Sequence, residues 1–187
     1  MNRHSLLDSN LTLRSDRLLL RPISVDDVDH VWPHVSNPSI AKYMSWDPHK
    51  NKGETTALLE RLENERKQGK SITWAIFVED QFCGIISLIS IIREHRALTY
   101  NKAELAYWLG TKFQRKGIMV EAGRLVIDCA FNNLGFHRLT VGHVSQNEAS
   151  ERLIKKWRFK YIGEEREAFM KNGIWFNHKL YERLESD

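Results

Sequence analysis

No stretch narrows the possible folds more than the join at residues 110–117, where "AELAYWLG" gives way to "FQRKGIMVEAGRLV". The first run reads as a strand. In the second, Ile118, Ala122, Leu125, Val126, Cys129 and Ala130 recur at the spacing of a buried helical stripe, and Glu121, Arg124 and Asp128 take the other side. A strand that enters a helix through one tight turn commits the chain to a strand–turn–helix unit. The turn also places Arg115 and Lys116 directly before a helix whose unpaired N–H groups already carry about half a positive charge. That is locally unfavourable unless an anion sits among them, and such a turn can hold a pyrophosphate on backbone amides. Solvated loop cations are the plain alternative.

The rest of the pattern builds around this unit. "LTLRSDRLLLRPI" alternates and stops at Arg21-Pro22, as a first strand closed by proline would. Ser24 then caps a helix over "SVDDVDHVWPHV", with Asp26 and Asp27 in its first turn. "SIAKYMSWDP" carries two exposed-looking aromatics, Tyr43 and Trp46, and "GETTALLERLENERKQG" predicts a helix ended by Gly69. "SITWAIFV" and "QFCGIISLISII" read as a hairpin turned at Glu79-Asp80. After the long helix "NNLG" is a stop, "RLTVGHV" a strand, and "QNEASERLIKKW" a helix with Ala149, Leu153, Ile154 and Trp157 on one face. The end reads as two strands turned at Asn172-Gly173. This order predicts an α+β domain with a mixed sheet rather than a doubly wound one, and a single domain over residues 1–187.

Charge and cysteines limit the chemistry. A net charge of +4 favours acidic partners, phosphorylated cofactors and nucleic acid among them, or simply marks a solvated surface. Cys83 and Cys129 stand far apart, with no CxxC and no His cluster at metal spacing, so free thiols and no metal are expected. "MNRHSLLDSN" lacks an apolar core and no run approaches 18 uninterrupted apolar residues, which predicts a cytoplasmic protein without membrane contact. Neither GxxxxGK[ST] nor GxGxxG occurs, which argues against ATP and NAD.

Gln114-Arg115-Lys116-Gly117-Ile118-Met119 resembles the [RQ]-x-x-G-x-[GA] acetyl-CoA turn of the GNAT N-acetyltransferases. The likeness extends through "RLLLRPISVDD", "WAIF", "CGIISL" and "SQNEASERLIKKWRF", and it is nearest to the RimJ/RimL type, which acetylates protein N-termini. The resemblance implies the GNAT fold, a central twisted, mostly antiparallel sheet flanked by helices. It also implies acetyl-CoA as cosubstrate, held by Trp108 and Leu109 at the strand end, by Gln114, Arg115, Lys116, Gly117, Ile118 and Met119 in the turn, and by Asn147 and Ser150 at the later helix. Three positions depart from the family pattern. Met119 stands where a small residue is commonest, Arg115 where glycine is frequent, and Arg158 where glycine normally eases a tight helix-to-strand turn.

The implied reaction is attack of a neutral amine on a thioester. An α-amine, with a pKa of about 7.7 to 8.0, needs less help from a base than a lysine at about 10.4. Glu104, on the strand before the turn, is the candidate base, or else a salt-bridged strand carboxylate. Some RimL-like enzymes take their carboxylate from the penultimate strand, where Phe169 stands here, and Glu167 is then the reserve because i and i+2 share a sheet face. Ser150 of "NEAS" is the candidate donor to the departing thiolate, or a completion of the Asn147 cap. Lys155 and Lys156 face either phosphate or water. Tyr43, Trp46 and Tyr107, with Trp108, are candidates for the acceptor pocket; Tyr107 and Trp108 are adjacent on a strand and must face opposite sides. The expected acceptor is a protein N-terminal α-amine, as on a ribosomal protein. The alternatives are a small amine (polyamine, aminoglycoside or amino acid) and a non-catalytic CoA- or RNA-binding module. An exposed strand at the end of the sheet would permit a homodimer.

Overall fold

The structure, a computed structural model, describes residues 11–187. The "MNRHSLLDSN" segment, on which the reading of no apolar leader rests, lies outside the described residues. The first strand is not continuous. It divides into β1 (Leu13–Arg14) and β2 (Leu18–Pro22), paired antiparallel. Ser15 folds the chain back, its N–H donating to Leu18 O and its Oγ accepting from Leu18 N–H. A 3-10 turn, Val25–Asp27, leads into α1 (Val28–Val35), and then α2 (Pro38–Ala41) and α3 (Lys52–Lys67) follow. Gly69 closes α3 in the left-handed region, its N–H on Arg66 O.

Next come β3 (Ile72–Val78), β4 (Gln81–His95) and β5 (Leu98–Leu109), an antiparallel meander. Glu79 and Asp80 both adopt positive φ, the geometry of a hairpin turn whose twist matches its strands. α4 (Ile118–Asp128) runs into a π turn at Cys129–Asn133 and stops before Gly135. β6 (Arg138–Val144), α5 (Glu148–Lys156), β7 (Lys160–Lys171) and β8 (Ile174–Leu184) complete the chain, with Asn172 and Gly173 turning the last hairpin.

The eight strands form one sheet in the order β1-β2-β3-β4-β5-β6-β8-β7, antiparallel throughout except between β5 and β6. Two clusters cover its faces. On one, α4 and α5 bury Val126, Ile154 and Trp157 against Leu105, Leu139 and Val141. On the other, α1 and α3 bury Val31, Val35 and Leu59 against Ala75, Phe82 and Trp108. α4 and α5 meet closely at Gly123, where any Cβ would strike the Trp157 indole, and that indole donates to Val120 O at 3.1 Å.

Some local expectations change. Ala149 is exposed, and the buried residues of α5 are Ser150 and Ile154, with Trp157 buried just past its end. Tyr43 and Trp46 are half-buried rather than exposed, Trp46 packing against the cluster under α1 and α3. The turn from α5 into β7 is made without glycine: Arg158 itself takes φ 63°. Among the described residues no helix is long and apolar enough to cross a membrane, and no group of three His, Cys, Asp or Glu is placed to hold a metal.

Candidate active site

The parallel pair creates an opening. β5 and β6 pair only from Lys102↔Arg138 to Leu105↔Val141, whereas β5 stays paired with β4 as far as Leu109. Residues 106–109 and 142–144 therefore diverge, with the 110–117 turn at the wide end. Gly110 fixes that turn through its N–H to Cys83 O at 2.8 Å, Phe113 is buried beneath it, and Gln114 Nε2 donates to Leu109 O at 3.2 Å. Arg115 and Gly117 then take φ 62° and 76°, and α4 begins.

The start of α4 differs from those of its neighbours. α2, α3 and α5 are capped by the side chains of Asn37, Asn51 and Asn147. Gly117, the N-cap of α4, has no side chain to accept from the first turn. Glu121, the acid of that turn, is taken up by Ser15 Oγ and by Arg17 Nε at 2.8 Å. Arg17 also reaches Lys116 O. Arg115 and Lys116 lie exposed beside open amides, an arrangement that can receive a diphosphate. Met119 does not obstruct it, because its side chain is buried in the core under α4.

Different groups stand on the two faces of the opening. Glu104 shares a sheet face with Ala106 and Trp108 and is half-buried. Burial pushes its carboxyl above the usual range, partly offset by the charge His178 can carry. Its ladder partner Ile89 and its neighbour Ala106 line a cleft of about 550 Å³ between the sheet, α1, α3 and residues 44–49. Met44, Trp46, Leu58, Ile85 and Trp108 give that cleft apolar walls. Trp46 lines this cleft, whereas Tyr43 lies outside its lining, with Lys42 Nζ 4.9 Å above its ring.

Tyr107 turns its ring to the opposite face, edge-on to Trp157 with 5.0 Å between ring centres. Its hydroxyl and Ser150 Oγ are 2.6 Å apart, and burial keeps the phenol protonated far above its ordinary range. The Tyr107 ring therefore meets Ser150, because alternation along β5 separates it from the Trp108 ring, although Tyr107 also borders the cleft beside Trp46. Asn147 Oδ1 accepts from Ser150 N–H, so the cap and the hydroxyl are set together. Leu109 is buried among the α4-side residues. Lys155 pairs with Glu151 at 2.7 Å, while Lys156 faces water.

On β7 the register slips between Glu165 and Phe169, and Glu167 takes φ 49°. The i, i+2 alternation that places Glu167 beside Phe169 is broken there, and the carboxylate is exposed. Sequence reasoning passed over Lys171. Its Nζ donates to the carbonyls of Ala41, Met44 and Trp46 at 2.8, 2.8 and 2.9 Å, tying the cleft rim to the β7–β8 hairpin. Nothing in the sequence links positions 130 residues apart, so no local signal marks this lysine.

Comparisons with known proteins agree with this architecture. The family model described as an acetyltransferase (GNAT) domain matches residues 17–160. "Probable N-acetyltransferase YjcK" of Bacillus subtilis (strain 168) is 35% identical over 132 residues, 71% of this chain and 70% of that protein. The spermidine N(1)-acetyltransferase of Escherichia coli (strain K12) is 23% identical over 158 residues, covering 84% of this chain and 81% of the relative. Among solved structures, RimL, a ribosomal L7/L12 α-N-protein acetyltransferase in complex with coenzyme A, superposes with a TM-score of 0.86 at 21% identity, covering 94% of this chain and 99% of that one.

Proposed function

The chain belongs to the GNAT acetyltransferase family, and from that premise we propose that it transfers acetyl from acetyl-CoA to the α-amine of a polypeptide N-terminus. The observation that carries the acceptor reading is the chemistry of the cleft. Among the described residues that line it, Glu54 is the one carboxylate, and it is committed to Lys50 N–H and Asn51 Nδ2. A polyamine with several positive charges would find no row of acids there, whereas an N-terminal residue presents one amine and an uncharged chain. RimL, whose fold this chain shares, acts on such an N-terminus. The spermidine acetyltransferase relative supports the second reading, a small amine.

In this reading the diphosphate of acetyl-CoA rests on the open amides of α4 with Arg115 and Lys116, and the pantetheine arm lies between the diverging strands. The thioester then reaches the narrow end, with Glu104 on one face and the Tyr107–Ser150 pair on the other. Glu104 takes a proton from the ammonium through a water, and the neutral amine attacks the carbonyl carbon. Ser150, backed by the protonated Tyr107 hydroxyl and the N-terminus of α5, donates to the departing thiolate. Trp46 and Trp108 hold the acceptor.

The test is thiol release from acetyl-CoA with a peptide pool against a polyamine and aminoglycoside panel. Peptides should turn over preferentially, and Glu104→Gln and Ser150→Ala should each lower kcat by about 10²-fold or more. Faster turnover of polyamines would transfer the assignment to small amines, and unchanged rates in both variants would remove the two residues from the chemistry.

A further inference from the structure

Acetylation of a protonated amine releases one proton overall. R–NH3+ and the thioester become the amide, the CoA thiol and H+. If Glu104 receives that proton, a half-buried carboxyl has to discharge it before the next turnover. We propose that His178 is the outlet, relaying the proton from Glu104 to Glu165 at the surface. This rests on the reading of Glu104 as the base.

His178 is on β8, paired with Val144 of β6 on one side and Glu165 of β7 on the other. Gly142 of β6 faces the cleft side of the sheet, two residues beyond Thr140, the ladder partner of Glu104. Because Gly142 has no side chain, the His178 imidazole leans across β6, with Nε2 and Cε1 filling the space a Cβ would need. The ring thereby comes to the edge of the β5–β6 opening, on the same face as Glu104, since Thr140, Gly142 and Val144 alternate onto that face and His178 pairs with Val144. Its other nitrogen, Nδ1, lies 3.6 Å from Glu165 Oε2, and Glu165 is exposed. Phe169 closes over the ring edge-on at 5.8 Å.

The two nitrogens thus point in different directions, one toward the opening and one toward water, which is what a shuttle needs. The proton of Glu104 crosses through water to Nε2, the proton on Nδ1 leaves through water past the Glu165 carboxylate to solvent, and the ring resets by exchanging its tautomer. The ionisable groups bearing on His178 are Glu104, Glu165 and, through the sheet, His143. A bulkier residue at position 142 would evict the imidazole, so the glycine belongs to the same device.

The experiment compares wild type with His178→Gln and His178→Ala, reading kcat for a peptide across pH and the thermal shift caused by acetyl-CoA. Both variants should lose about 10²-fold in kcat near pH 7 with the acetyl-CoA shift unchanged. The deficit should shrink above pH of about 8, where the α-amine is already neutral and no net proton is released. Added imidazole should restore His178→Ala by entering the space over Gly142. A deficit that is constant with pH and ignores imidazole makes His178 a packing residue and overturns the relay, as does undiminished turnover in His178→Gln. Wild-type protein that acetylates no amine would sink the reading of the reaction instead.

Discussion

Asp27 shows at the scale of one residue how a surface-type side chain becomes structural. It is buried, its carboxylate taking two bonds from the Arg21 guanidinium, at 2.9 and 2.6 Å, and one from Ser24 N–H. Burial pushes the carboxyl up, and the bonds from Arg21 and Ser24 with the Arg21 charge pull it further down, so the group ends below its ordinary value. A depressed carboxyl stabilises the fold above its unfolded pKa of about 3.9, and that contribution is lost as pH falls through the folded value. Asp27→Asn should therefore cost about 1–3 kcal/mol in urea unfolding at pH 7, with the gap to wild type narrowing below pH of about 4. A gap independent of pH would assign the loss to shape alone. The adjacent Asp26 is exposed, so "DD" could not reveal which acid is structural.

Among the elements, the α5–β7 connection is the clearest case of strain. The sequence replaces a turn glycine with Arg158, and the structure keeps the tight turn, holding the arginine at φ 63° while its N–H donates to Lys155 O. A non-glycine residue there costs on the order of 1–2 kcal/mol. Arg158→Gly should raise stability by about 1 kcal/mol, less than the full strain because glycine adds entropy to the unfolded chain. The midpoint of chemical unfolding checks this, and a lowered midpoint would mean the arginine gains more elsewhere than its backbone loses. Arg115 takes the same conformation in the 110–117 turn. The strand–turn–helix unit itself was legible, because the period of its apolar residues changes at the turn. The break between β1 and β2 was not, since "LTLRSDRLLL" alternates on both sides of Ser15 and only the bonds of that serine show the reversal.

For the whole molecule, the central expectation is ligand binding to the native state alone. Acetyl-CoA at about 100 times its Kd should stabilise the fold by about 2.7 kcal/mol, roughly 5–10 °C in Tm for a chain of this size. Arg115→Gln with Lys116→Gln should reduce that shift, and added salt should reduce it in wild type more than in the double variant. An unmoved Tm would empty the proposed phosphate seat. The sheet also leaves β7 as an outer strand, with Met170, Ile174 and Trp175 exposed on its hairpin. That edge is where a second copy could pair, and sedentary monomeric behaviour at high concentration would argue against it.

The sequence by itself determined most of the strands and helices, the hairpin turns at Glu79-Asp80 and Asn172-Gly173, and which glycine opens the α4 turn, because each is set by residues within a few positions of one another. It also identified Glu104, Trp46, Asn147 and Ser150 as residues worth following. Only the tertiary structure decided that Tyr107 meets Ser150 while Trp108 faces the cleft, that Lys171 ties down the rim, and that His178 lies over Gly142. Those relations join residues brought together by the register of eight strands, and register is fixed by the packing of both faces at once rather than by any local run of the chain.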